Sequence, residues 1–322
     1  MTGNSITLNT LPTGQSIEQN EESCCLNLAS GQIRLAKESH GYWRIVKNTI
    51  ASHEVVQAIV LLFEYDRQIR CIDIGRFSFQ DLEHLVHVTP EDLRLLWREC
   101  FLQLSEYWLT QRRQLMPQKQ VLAENGYHPL RPAPQKGELY RRYIPHINQT
   151  LSLVGLDIDQ HLELFAKWQN SERVAEFWEQ TGTLEQHRAY LEEQLDNDKN
   201  QLLIACLNDE PFAYIESYWT KEDRIAPYYA AGDFDRGIHM LVGEEHHRGS
   251  HKVAAWLPSV CHFLYLSDPR TNRIVSEPRS DNAKMINYLQ INGFAKIKEF
   301  DFPHKRAALM CQLRDTFFSD YF

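Results

Sequence analysis

The most constraining stretch of the chain is GIHMLVGEEHHRGSHKVAAWL, residues Gly237–Leu257. It starts as a short apolar strand and ends as a helix, with a polar turn between them that contains Arg248-Gly249. A strand that feeds a helix through such a turn belongs to a sheet with helical cover, so the segment predicts an α/β architecture. The turn also carries chemistry. The first N–H groups of a helix have no partner inside it, and the helix dipole adds partial positive charge there. Gly243 lets the strand end and turn, and Gly249 permits close backbone approach. Arg248 and Lys252 add full charges, with Ser250 and His251 at the helix start. That combination suits a phosphate-type anion; the plain alternative is a solvated capping turn.

The flanking segments extend the pattern. QLLIACLND (201–209) and PFAYIESYW (211–219) read as a β-hairpin, RIVSEP (273–278) as a strand, and DNAKMINYLQINGF (281–294) as a helix stopped by Gly293. AKIKEFDFP (295–303) and RAALMCQLR (306–314) read as closing strands. Upstream, NQTLSLVGLDI (148–158) is a strand candidate. DIDQHLELFAKWQNSERVAEFWEQ (157–180) is a helix that breaks near Asn170-Ser171 and resumes. TLEQHRAYLEEQLDND (183–198) is a helix whose Thr183 and Gln186 fit a capping box. Residues 1–30 are polar and read as a loose arm or an edge element. Residues 31–135 read as a smaller N-terminal α/β domain and 136–322 as the main domain, with the Pro- and Gly-bearing 125–143 as linker. Within the first domain, EVVQAIVLLFEY (54–65) fits helix or buried strand. The stripe Leu93, Leu96, Trp97, Cys100, Phe101, Leu104 predicts a helix over 89–115.

Composition narrows the partners. With 322 residues and 43% hydrophobic content the chain can bury a substantial core. A net charge of -9 argues against a general nucleic-acid binder. The seven cysteines include no CxxC, which reads as reduced thiols. The N-terminus lacks a basic start followed by an apolar run, and no apolar run approaches the roughly 20 residues of a membrane helix. A soluble cytoplasmic protein without nucleic-acid or membrane partners is expected, and a homodimer is left open. No HExxH and no Ser/His/Asp pattern is present. His246, His247 and His251 invite a metal, but an anion turn explains them better, so no metal is expected.

The stretches GELYRRY, FWEQTGTLEQHRAYLEEQL, YWTKEDRI, FDRGIHMLVGE, RGSH, EPRSDN and KEFDFPHKRA carry a resemblance to the GNAT superfamily of N-acyltransferases, and within it to the siderophore-biosynthesis branch. It covers a little over half the chain, from about Glu138 onward. It implies a GNAT-type mixed, mostly antiparallel sheet flanked by helices, with 31–135 as a candidate degenerate half of the same fold. It implies acetyl-CoA as donor, with its pyrophosphate on the backbone of His246–His251 and contacts at Val242, Gly243, His247, Arg248, Gly249, Ser250, His251, Lys252 and Asn282. The family's usual Gln/Arg-x-x-Gly-x-Gly/Ala falls on His246, Gly249 and His251, so the middle glycine is kept and the outer positions differ.

His239 stands at the strand position of the branch's proposed base. A neutral imidazole there could accept the proton released as nitrogen attacks the thioester. By itself, a histidine among apolar strand residues is more often a satisfied core group. Asp281 is the candidate carboxylate partner, displaced by two residues from its place in some relatives, where Arg279 stands here. The family's leaving-group tyrosine position holds Leu289, with Tyr288 one residue before it; a shift of one residue turns a helical side chain by about 100°. Trp178, Trp219, Glu222, Arg224, His304 and Lys305 are the candidate acceptor contacts.

The function implied is acetyl transfer from acetyl-CoA to the hydroxylated side-chain nitrogen of N6-hydroxylysine, in biosynthesis of an aerobactin-type hydroxamate siderophore for iron acquisition. The rival expectations are a succinyl or longer acyl group placed on an N-hydroxylated diamine, and a non-catalytic protein that binds CoA or a partner.

Overall fold

A computed structural model describes residues 6–11, 15–38, 41–51, 54–79, 82–111, 116–123 and 126–322. The chain divides into two compact units, Met1–Leu104 with Ile144–Asn148, and Ser105–Tyr143 with Gln149–Phe322.

The first unit is built on an eight-stranded sheet. Its strands are β1 (Ile6–Leu11), β2 (Gln15–Gln19), β3 (Ser23–Leu28), β4 (Gly31–Lys37), β5 (Trp43–Asn48), β6 (Cys71–Asp73), β7 (His87–Val88) and β8 (Arg94–Trp97), in the order β1-β2-β3-β4-β5-β6-β8-β7. Helix α1 (Val55–Tyr65) joins β5 to β6, which settles 54–65 as a helix. The polar first 30 residues supply β1, β2 and β3, with Cys24 and Leu26 fully buried; residues 1–5 and 12–14 of that expected arm lie outside the described residues.

The helix expected over 89–115 is not formed. Arg94–Trp97 is a strand that pairs antiparallel with Cys71–Asp73, followed by one helical turn, α2 (Arg98–Phe101). Sheet pairing overrides the helical spacing because Leu95 and Leu96 can be buried there only as strand residues. Residues 112–115 of that expected helix lie outside the described residues.

Within the second unit, the expected linker holds a two-stranded ribbon, β9 (Gln120–Ala123) with β10 (Gly126–Pro129), and the first strand of the second sheet; its Asn125 lies outside the described residues. That sheet has β11 (Glu138–Ile144), β12 (Gln149–Gly155), β13 (Asn200–Leu207), β14 (Glu210–Trp219), β15 (Arg236–Val242), β16 (Arg273–Ser276), β17 (Ala295–Asp301) and β18 (Arg306–Leu313), in the order β11-β12-β13-β14-β15-β16-β18-β17. Helices α3 (Ile158–Gln169), α4 (Glu172–Trp178) and α5 (Leu184–Asp196) connect β12 to β13. Helix α6 (Ser250–Ser267) connects β15 to β16, and α7 (Ala283–Ile291) connects β16 to β17.

Local chemistry fixes these elements. Thr183 and Gln186 form the expected capping box at α5, and the Asp157 side chain caps α3. Asn208 and Asp209 both take left-handed backbone angles, φ 49° and 65°, which makes a two-residue hairpin turn between Leu207 and Glu210. The core on one sheet face joins Phe165, Trp168, Val174 and Leu191 of the three helices to Leu202, Ile204, Tyr214 and Leu241 of the strands. No helix of the described residues is long and apolar enough to cross a membrane.

Candidate active site

The site begins where the second sheet parts. Strands β15 and β16 are the parallel pair of this sheet, and they stay paired only at Arg236↔Ile274 and Gly237↔Val275. Beyond Gly237 the strands diverge, and the Ser276 hydroxyl reaches across to the Ile238 carbonyl at 3.1 Å. His239 follows immediately on β15, opposite Glu216 of β14. Strand alternation puts His239 on the face of Leu241, the one covered by α3, α4 and α5.

His239 lies between two carboxylates. Its Nδ1 is 2.9 Å from Glu216 Oε2, and its Nε2 contacts Glu277 Oε1. Glu277 directly follows β16 and its side chain is 0% exposed, Glu216 is 9% exposed and the imidazole 22%. Three tyrosines complete the carboxylates' bonding. Tyr190 and Tyr214 donate to Glu216 Oε1 at 2.5 and 2.9 Å, and Tyr218 donates to Glu277 Oε2 at 2.7 Å.

The electrostatics follow from this packing. Burial alone would lower the His239 pKa, but the Glu277 charge and the hydrogen bonds to Glu216 and Glu277 outweigh it and push it up to about 10. Burial would raise Glu277, yet the His239 charge and hydrogen bond hold it at about 2. Glu216 is likewise lowered by its bonds to His239 and the tyrosines against the cost of burial. Burial, together with the nearby carboxylates, pushes Tyr190, Tyr214 and Tyr218 upward, so all three stay protonated donors. Each ring nitrogen of His239 faces a carboxylate oxygen, an arrangement that favours the doubly protonated imidazolium over the neutral imidazole expected from the sequence.

Its partner is also different. Asp281 does not meet His239; its exposed carboxylate pairs with Arg279, at 2.8 Å from Nη2. The partnering carboxylates are Glu216 and Glu277. Glu277 lies in the EPRSDN stretch and Glu216 in the apolar run PFAYIESYW, and neither is among the candidates named from the sequence. A single carboxylate inside the apolar run PFAYIESYW was the available signal for Glu216. Asn282 caps α7, accepting from Met285 N at 3.1 Å. Tyr288 is half-buried on α7, with the Lys284 ammonium over its ring, and Leu289 is fully buried.

The turn after β15 is organised by packing and by charge. Gly243 is required by contact rather than by an unusual φ, since a Cβ there would lie 2.1 Å from the Trp168 indole. Arg173 of α4 donates to the Val242 carbonyl at 2.6 Å and to Gly243 at 3.3 Å. Burial and the neighbouring Arg248 charge lower its pKa. Glu245–His247 forms one 3-10 turn, and Gly249 caps α6 at φ +120°, a left-handed-side conformation that favours glycine.

Among the described residues, no backbone or side-chain acceptor is paired with the N–H groups of Gly249, Ser250 and His251. Three successive donors with the half-exposed Arg248 beside them fit a diphosphate. Lys252 is engaged by Gln149 through its Nζ. His247 is buried, and His246 and His247 both bond Glu210, at 2.8 and 3.2 Å.

The expected acceptor contacts separate into two groups. Trp178 lies edge-on to His239, with centroids 6.5 Å apart. Lys305 Nζ donates to the Glu277 carbonyl at 2.8 Å, and burial lowers its pKa. His304 stacks on Phe302 at 5.4 Å, and the Arg224 guanidinium lies 5.5 Å from the same ring. Burial and the charges of Arg224 and Lys305 lower the His304 pKa, so these three lie close together. Trp178, Arg224, His304 and Lys305 thus gather near His239 and Glu277. Glu222 and Trp219 are engaged elsewhere. Glu222 accepts two bonds from Arg131, at 2.6 and 2.8 Å, and Trp219 is buried with the Arg131 and Arg236 guanidinium groups over its ring at 4.2 and 4.1 Å. A carboxylate already bound on both oxygens is not available to an incoming ammonium.

A mixed sheet that parts beside a titratable strand residue and ends in an anion-ready helix start is an acyltransferase architecture. The chain carries a GNAT acetyltransferase domain, residues 157–302 matching the family described as acetyltransferase (GNAT) domain. It is 47% identical over 194 residues to the N(6)-hydroxylysine O-acetyltransferase of Escherichia coli, covering 60% of this chain and 62% of that one. It is 46% identical over 206 residues to the N(5)-hydroxyornithine:cis-anhydromevalonyl coenzyme A-N(5)-transacylase of Beauveria bassiana, covering 63% of this chain and 45% of that one. The match therefore spans less than two thirds of either relative's own length. A crystal structure of an uncharacterized protein from Bacillus halodurans superposes with a TM-score of 0.55 at 30% identity, covering 58% of this chain and 97% of that one.

Proposed function

We propose that the protein transfers the acetyl group of acetyl-CoA to the hydroxylated side-chain nitrogen of N6-hydroxylysine, forming a hydroxamate of the aerobactin type. The observation that carries the reading is His239, held as a cation between Glu216 and Glu277 where β15 and β16 part. The diphosphate would rest on the N–H groups of Gly249, Ser250 and His251 with Arg248. The acceptor carboxylate would meet Arg224, on the side where Lys305 and His304 add positive charge.

The chemistry needs one proton moved. A hydroxylamine nitrogen is mostly unprotonated near neutral pH, so it attacks the thioester carbon without prior deprotonation. The C–N bond forms and the C–S bond breaks. His239 gives its proton to the departing sulfur and takes up the proton of the new amide nitrogen, so the net transfer is from nitrogen to thiol. Taking up that proton restores the imidazolium, and the charges of Glu216 and Glu277 hold it in that state between turnovers. This reading keeps His239 as the proton-transfer residue and makes it a donor at rest.

The two relatives name oxygen and nitrogen as the acylated atom, and lysine- and ornithine-type acceptors. The second reading, a different acyl group on an N-hydroxylated diamine, follows from the transacylase. Mass spectrometry of product from acetyl-CoA with N6-hydroxylysine, against lysine and N5-hydroxyornithine, tests the acceptor. Colour on adding ferric ion reports a hydroxamate, whereas O-acylation gives none. An acetylated product with lysine but not hydroxylysine would overturn the proposal. A panel of acyl-CoA donors fixes the acyl group.

A further inference from the structure

We propose a divalent transition-metal site made of Glu210, His246 and His247, on the flank of the turn after β15. The three residues come from two places in the chain. Glu210 opens β14 directly after the two-residue turn at Asn208–Asp209, and the histidines form the 3-10 turn before Arg248. Their ligand atoms all lie within 4.8 Å of one another. His246 Nε2 is 2.8 Å from one Glu210 oxygen and His247 Nε2 is 3.2 Å from the other. Metal–nitrogen and metal–oxygen bonds of about 2.0–2.2 Å put neighbouring ligand atoms about 3 Å apart, so these separations already approach the edges of one coordination sphere.

The residue set also selects the ion. Two imidazoles and one carboxylate suit Zn2+, Co2+ or Fe2+, and not Mg2+ or Ca2+, which take oxygen ligands. His247 is held in place by burial, its ring tilted 5.3 Å from that of Phe212, so one ligand is pre-positioned. His246 and Glu210 are 60% and 53% exposed, which lets an ion enter and lets water complete its sphere. The sequence pairs the adjacent histidines with His251; the fold brings Glu210 instead, 36 residues upstream of His246. An ion bound there ties the β13–β14 turn to the segment that leads into Gly249. The site stands independently of the acyl-transfer reading.

The test uses the untagged 322-residue chain, kept reduced, without acyl-CoA. It is titrated with CoCl2 under absorption spectroscopy and with ZnCl2 in a calorimeter. One equivalent should bind, with visible cobalt bands, no thiolate-to-cobalt charge-transfer band, and a raised Tm in Zn2+ but not in Mg2+. Removing a ligand should weaken binding by at least the roughly 10–100-fold typical of second-sphere losses, for Glu210→Gln and His246→Ala alike. Both positions are exposed, and unchanged circular dichroism verifies folding. Three results would overturn the site: no saturable binding, binding that survives both substitutions, or a thiolate band that moves the metal to the cysteines.

Discussion

The two sheets of this protein share one strand order and differ in almost everything chemical. Each runs through four antiparallel strands and a fifth, then a helix, then a parallel sixth strand, with the last strand inserted before the seventh. In both, the parallel pair is held over two positions, Trp43↔Ile72 and Arg44↔Asp73 in the first, Arg236↔Ile274 and Gly237↔Val275 in the second. Setting those registers side by side places Val46 where His239 stands and Gly75 where Glu277 stands. The tight pair Tyr218↔Gly237 becomes Ala36↔Arg44, and Arg44 closes the gap by pairing with Asp73 at 2.8 Å. The helix that follows starts after Glu54 in the first unit and after Gly249 in the second. A carboxylate at a helix start repels the anion that a glycine there would admit. The first unit thus repeats the strand order of the second without the groups of its site, and a shared backbone plan does not by itself carry a shared chemistry.

The largest effect should come from breaking that contrast at its centre. His239→Ala should lower kcat by about 10²–10⁴-fold while acyl-CoA still binds, and Val46→His should leave kcat unchanged, both measured by hydroxamate formation. Glu277→Gln comes next. Without that charge the His239 pKa should fall from about 10 toward 6.5, visible by NMR of the imidazole, and turnover should fall with it. Gly237→Ala should destabilise by about 1–3 kcal/mol in urea unfolding, since its Cβ would lie 2.0 Å from the Tyr218 ring. Combining it with Tyr218→Ala should be less than additive.

A smaller effect concerns pH. The folded His239 pKa is raised from 6.5, so its contribution to stability is full below 6.5 and is lost as pH rises through about 10. Unfolding free energy measured across that window should decline, and less so in His239→Gln. The smallest effect belongs to Asp281→Ala, which should leave turnover unchanged because that carboxylate meets Arg279 and not the imidazole.

What could be seen in the sequence was local. The capping box at Thr183, the hairpin around Asn208-Asp209 and the passage from β15 into α6 each depend on neighbours within a few residues, and each was readable. The strand at Arg94–Trp97 was not, because its burial depends on Cys71–Asp73 and the helical spacing of its leucines is equally good on paper. The same limit hid the carboxylates of the site. Glu216 and Glu277 meet His239 across 23 and 38 residues, and only strand pairing brings them together. The engagement of Glu222 by Arg131 was hidden for the same reason, since the two lie 91 residues apart.

The parting of β15 from β16 has one more result. The Ile238 carbonyl faces β16, where Ser276 meets it, and backbone direction repeats every second residue, so the amide and carbonyl of Met240 face the same side. An amide-bearing arm laid along that opening would find there the rung a neighbouring chain would otherwise provide. The donor would then be gripped as if it were one more strand, with its length measured out by the ladder and its reactive end delivered at a fixed step.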